Sequence, residues 1–72
     1  MAKILVIDDE RAIRNTLKEI LEFEGYTVEV AENGRIGLER ALSNAFDLIF
    51  TDIKMPEMDG MEFLQAYREG MA

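Results

Sequence analysis

Three short apolar runs alternate with three helix-patterned segments, and this rhythm constrains the fold more than any other feature of the chain. Lys3 to Ile7 ("KILVI") is a nearly continuous apolar run, the pattern of a strand covered on both faces. From Glu10 to Glu24 the apolar residues Ile13, Leu17, Ile20 and Leu21 share one helical face, with Arg11, Arg14, Lys18, Glu19 and Glu22 around the rest. Gly25 is a natural stop for that helix. Tyr26 to Val30 ("YTVEV") alternates, as a half-exposed edge strand does. "NGRIGLERALSNA" reads as a second helix capped by Asn33, with Leu38, Ala41, Leu42 and Ala45 inward. Gly34 and Gly37 blur where it begins. Asp47 to Thr51 is the third strand. Asp59 and Glu62 then form a D-x-x-E start signal for a third helix ending near Gly70. Its inward positions are read as Met61 and Leu64, with Phe63 and Tyr67 as further candidates.

Strands alternating with helices imply a parallel sheet with right-handed crossovers. The edge character of the second strand places it outside the first, and the third most simply lies on the other side. The expected order is 2-1-3. Connections then leave the first strand in opposite directions, opening a crevice beyond the carboxyl ends of strands one and three, where open α/β sheets bind ligands. Asp8 and Asp9 follow "KILVI", and Asp52 follows "DLIFT".

Three carboxylates in one crevice repel, and burial adds a desolvation cost. A retained proton or a cation relieves that repulsion. Hard divalent ions choose oxygen, and magnesium takes one or two carboxylates together with waters and phosphate oxygens. A carboxylate is also a possible nucleophile toward phosphorus. Taken alone, Asp8-Asp9-Glu10 is a helix N-cap with acids at the positive end of a helix dipole, and Asp52 is a turn acid. Taken together, at the ends of neighbouring strands, they favour a Mg2+ site with positions left for a phosphoryl group. Met55, Met58 and Met61 read as packing and loop residues, and Glu19, Glu22 and Glu24 as a solvated face.

The totals narrow the field. Seventy-two residues allow one small domain, which buries only about 60% of the surface its unfolded chain exposes. The absence of cysteine and histidine excludes disulfides and a Cys/His zinc site. Fifteen acids against eight bases, a net charge of −7, argue against nucleic acid as a direct partner. The N-terminus has too short an apolar run for a signal peptide, and no stretch approaches membrane-spanning length. The expectation is a soluble, cytoplasmic protein with no membrane contact.

"KILVIDDE", "AENGRIGLERAL" and "DLIFTDIKMPEMDGMEFL" together closely resemble the receiver domain of two-component response regulators, over essentially the whole chain. The resemblance implies a flavodoxin-like doubly wound fold. It implies that Asp52 accepts a phosphoryl group from the phosphohistidine of a sensor histidine kinase. Asp8 and Asp9 would hold Mg2+ with Asp52, Asp9 being the more direct ligand, and the backbone carbonyl of Lys54 would complete the protein's share. Met55, Pro56 and Gly60 look like the family's loop after the acceptor. Family members run to about 120 residues, so residues 1–72 read as the N-terminal (βα)3 portion of a receiver. The family's later Ser/Thr and Lys have no counterpart here, since Lys3, Lys18 and Lys54 stand elsewhere. A third strand with a bare edge invites pairing with another chain, so a homo-oligomer formed by strand pairing or segment exchange is expected.

The leading reading is a phosphate-accepting switch that is not a turnover enzyme, its activity expected to be impaired without the family's later Ser/Thr and Lys, the latter a fixed counter-charge for the acidic cluster. The main alternative is a self-associating structural fragment of the same fold without phosphotransfer. A magnesium-dependent phosphohydrolase would want a second acid two residues after the nucleophile, where this chain has Lys54. A nucleotide-binding half-domain lacks both glycine-rich signatures.

Overall fold

The computed structural model describes residues 2–52 and 59–71. Lys54, Met55, Pro56 and Met58, singled out above, lie outside the described residues. The elements run β1 (Lys3–Ile7), α1 (Arg11–Phe23), β2 (Thr27–Ala31), α2 (Gly34–Ser43), β3 (Leu48–Thr51) and α3 (Gly60–Met71). The three strands form one parallel sheet in the order β2-β1-β3, the order expected from the sequence.

Successive side chains of a strand point to opposite faces, and β1 divides its apolar run accordingly. Ile4 and Val6 pack with Val28, Leu17 and Leu21 beneath α1. Leu5 and Ile7 pack with Ala31, Ala41 and Phe63 beneath α2 and α3. Helices therefore cover both faces, and β1 is buried between them.

The ends of the elements have local causes. Gly25 has φ of 95° and ends α1 in a Schellman arrangement: its N–H donates to the Glu22 carbonyl, and the Tyr26 N–H donates to Leu21. Tyr26 is thereby held by the helix, so β2 starts one residue later than expected and extends to Ala31, paired with Ile7. Asn33 caps α2, its side chain accepting from the Ile36 N–H at 2.8 Å. Asp59 caps α3 by accepting from the Glu62 N–H at 2.8 Å.

The buried sides of the helices differ in part from those expected. In α3, Phe63 is 2% exposed and Tyr67 packs against the core, whereas Met61 and Leu64 are 66% and 40% exposed. The helix turns its Phe63–Tyr67 side to α2 and the sheet, and these two rings stack at 6.0 Å. Met61 and Leu64 instead border an apolar groove of about 430 Å3 against β3. In α2, Leu42 leans toward α3 and remains partly exposed, and Ala45 lies beyond the helix. In α1, Leu17 and Leu21 reach the core, but Ile13 and Ile20 stay at the surface because the helix lies over β1 and β2. No helix among the described residues is long and apolar enough to cross a membrane.

Two glycines allow close approach between elements. A Cβ at Gly37 would stand 2.4 Å from Ile7 Cδ1 and 2.7 Å from its Cγ1, and Ile7 is fully enclosed. A Cβ at Gly70 would meet Leu42 at 2.7 Å, but Leu42 has room to turn aside. Helix propensity alone favours alanine at both sites by about 1 kcal/mol. Packing separates them. Gly37→Ala is expected to destabilise the chain by about 1–3 kcal/mol, and Gly70→Ala to leave it unchanged or slightly more stable, in urea unfolding followed by circular dichroism.

Candidate functional site

The acids expected to converge do so. Parallel pairing sets the ends of β1 and β3 side by side, Ile7 opposite Thr51. The ladder continues one residue further on each side: the Asp52 N–H donates to the Ile7 carbonyl at 3.2 Å, and the Asp8 N–H donates to Ala31 at 3.1 Å. Asp8 and Asp52 thus leave adjacent strand ends in the same direction. The loop into α1 brings in Asp9, and one carboxylate oxygen from each of Asp8, Asp9 and Asp52 lies within 4.8 Å of the others. Asp8 is buried and Asp9 is exposed. A cavity of about 250 Å3 adjoins Asp8 and Asp52, with a floor of Val6, Leu17 and Phe50.

Like charges at this spacing repel by about 1 kcal/mol per pair in bulk water, and by about 3–4 kcal/mol at an effective dielectric constant of about 20. Three such pairs are a heavy load for a small domain. The donor set is all carboxylate, with neither nitrogen nor sulfur, which fits a hard divalent cation such as Mg2+.

The acids also differ in how they are held. Asp8 Oδ1 accepts from the Glu10 N–H at 2.9 Å, which closes an Asx turn and orients the carboxylate. Glu10 occupies the N-cap position of α1 with no side-chain capping bond, and in place of an acidic cap there is this turn, begun two residues earlier at Asp8. The Arg14 guanidinium Nη1 donates to the Asp8 carbonyl at 2.7 Å. Nothing in the residue pattern had marked Arg14, because a bond to a main-chain carbonyl leaves no signature in the partner's identity. Lys3 is engaged at the other end of β1, pairing with Glu29 at 3.1 Å. The fourth expected ligand, the Lys54 carbonyl, lies outside the described residues.

A family model described as the response regulator receiver domain matches residues 4–71. The chain belongs to the response regulator receiver family. The response regulator MprA of Mycolicibacterium vanbaalenii is 42% identical over 66 residues, covering 92% of this chain and 29% of MprA. Among solved structures, the chemotaxis protein CheY4 of Vibrio cholerae superposes with a TM-score of 0.94 at 42% identity, covering 99% of this chain and 59% of that one. The response regulator TrrA of Thermotoga maritima, solved in complex with Mg2+-BeF, gives 0.90 at 45% identity, covering 96% of this chain and 60% of that one. TrrA has also been solved in complex with the histidine kinase ThkA. This chain spans about 29% of the length of MprA. The flavodoxin-like receiver fold is therefore shown, and receiver domains of two-component systems are switches, not turnover enzymes.

Removing one of the three charges measures their repulsion. Asp8→Asn keeps an oxygen for the Glu10 N–H while removing one of the three charges. In chelator, this variant is expected to be about 2 kcal/mol more stable to unfolding than the parent chain, the bulk-water value for the two pairs that include Asp8. Added Mg2+ should then stabilise the parent more than the variant. Urea unfolding with and without Mg2+ measures both effects.

Proposed function

We propose that the chain is the phosphate-accepting part of a two-component phosphorelay, with Asp52 as acceptor and a sensor histidine kinase as donor. The convergence of Asp8, Asp9 and Asp52 at neighbouring strand ends carries this reading. The TrrA complexes with Mg2+-BeF and with ThkA support it by analogy.

In this reading a carboxylate oxygen of Asp52 attacks phosphorus. The phosphorus–nitrogen bond to the kinase imidazole breaks, its electron pair returns to the ring nitrogen, and Asp52 becomes an acyl phosphate. Asp8, Asp9 and Asp52 would hold Mg2+, with the Lys54 carbonyl, outside the described residues, expected to complete the set. The ion would supply charge stabilisation for the transferring phosphoryl oxygens. Thr51 and Asp52 sit on the sheet's hydrogen-bonded frame, which fixes the nucleophile's position before the donor arrives. The setting is cytoplasmic, and the acidic chain makes no direct contact with nucleic acid. The same chemistry with a small phosphodonor would make the domain a self-phosphorylating switch at most.

Incubation with Mg2+ and acetyl phosphate is expected to add one phosphoryl group by intact mass, and Asp52→Asn is expected to add none. A folded, Mg2+-binding chain that gains no phosphoryl group would contradict the phosphorelay reading and leave that of a structural fragment.

A second observation favours self-association. Among the described residues β3 pairs only with β1, and Leu48 and Phe50 on it are 49% and 42% exposed. An outer strand pairs readily with another chain through its backbone, and the exposed Leu48 and Phe50 side chains add apolar surface to that contact. Light scattering at micromolar concentration is expected to report a dimer or larger species for the 72-residue chain, shifting toward monomer in Phe50→Lys. A folded monomer throughout would contradict this part of the proposal.

A further inference from the structure

We infer that Arg14 is a positioning residue for the acidic pocket, holding the β1–α1 loop in the form that turns Asp8 and Asp9 toward Asp52. The inference rests on the Mg2+ site proposed above. The Arg14 main chain donates to the Glu10 carbonyl at 3.1 Å, and its guanidinium donates to the Asp8 carbonyl at 2.7 Å. One residue in the first turn of α1 therefore pins both ends of the segment Asp8–Glu10. With the Ala31 and Glu10 bonds, Asp8 is held at its amide, its carbonyl and its side chain.

Asp9 is different. Its carboxylate is exposed and has no hydrogen-bond or ion-pair partner among the described residues. Where that carboxylate points is thus decided by the loop backbone, and the loop backbone is held by Arg14. A charge-assisted bond to a part-buried carbonyl is roughly twice as strong as a neutral one. A loop ordered in advance spares the cation the cost of ordering its own ligands.

The guanidinium also carries a positive charge, which by itself repels a divalent cation. Positioning and repulsion make opposite demands on the sign of a mutation's effect. If positioning dominates, removing Arg14 weakens Mg2+ binding. If repulsion dominates, removal tightens it. Partners of metal ligands are typically worth about 10- to 100-fold in metal affinity, whereas a screened charge near the surface is worth less.

The experiment is Mg2+ titration by calorimetry of the full 72-residue chain and of Arg14→Ala, Arg14→Lys and Leu21→Val, each checked by circular dichroism. Leu21 packs α1 on the Ile4, Val6 and Val28 cluster from the C-terminal half of the helix, away from Arg14 in its first turn, so its variant loosens the helix packing alone. Arg14→Ala is expected to bind Mg2+ about tenfold more weakly. Arg14→Lys should lie between it and the parent, because an ammonium donates as a point charge without the planar fork. Leu21→Val should bind as the parent does. Equal or tighter binding by Arg14→Ala overturns the inference, as does an equal loss in Leu21→Val. Should Arg14→Ala not fold, Arg14→Lys decides: weaker binding supports the inference and equal or tighter binding overturns it. A parent chain that binds no Mg2+ overturns the proposed site and this inference together, an outcome distinct from a parent that binds and an Arg14→Ala that matches it.

Discussion

The structure depends on β1 being enclosed on four sides. Hydrogen bonds tie it to β2 on one edge and β3 on the other, and its side chains feed one core beneath α1 and another beneath α2 and α3. A backbone so enclosed has no water to satisfy its amides and carbonyls, so pairing must run to the end of the strand. It runs one step beyond, through the Asp8 and Asp52 amides. The chain is then obliged to release its first acids at the point where β3 releases its own.

That arrangement opposes stability to reactivity. Apolar burial organises the domain, and the same burial brings three carboxylates to within 4.8 Å of one another. Carboxylates converging at strand ends mark the place where a functional site is expected, because a cation bound there would offset their mutual repulsion. The Asx turn at Asp8 and the Arg14 bond to its carbonyl keep the loop from relaxing away from that arrangement. Where a side chain needs to approach closely, glycine gives way, as at Gly37 against Ile7.

Much of this was legible in the residues. The βα rhythm gave the order 2-1-3 because a continuous apolar run and an alternating one differ in how many faces they bury, as β1 and β2 do. Asp8, Asp9 and Asp52 could be grouped because Asp8 and Asp52 directly follow neighbouring strands, with Asp9 next to Asp8, where topology dictates position. Other features depended on tertiary partners with no local signature. Around Met61, Phe63 and Leu64 several apolar residues compete for the inward side of α3, and only the placement of α2 selects Phe63. Ile13 and Ile20 fit the inward stripe of α1, but the helix sits over β1 and β2 and leaves them at the surface. Arg14 escaped notice because its partner is a main-chain oxygen.

The central claim is that Asp8, Asp9 and Asp52 act as one oxygen-lined pocket for a hard cation. The most direct measurement is paramagnetic broadening of backbone amide resonances on titration with Mn2+, which shares that preference for oxygen ligands. The account requires the amides of Asp8, Asp9 and Asp52 to broaden together at substoichiometric ion, with excess Mg2+ restoring them and those around Lys3 and Glu29 unaffected. Broadening that spreads over the acidic surface at large, or that reaches Asp9 without Asp52, would contradict it.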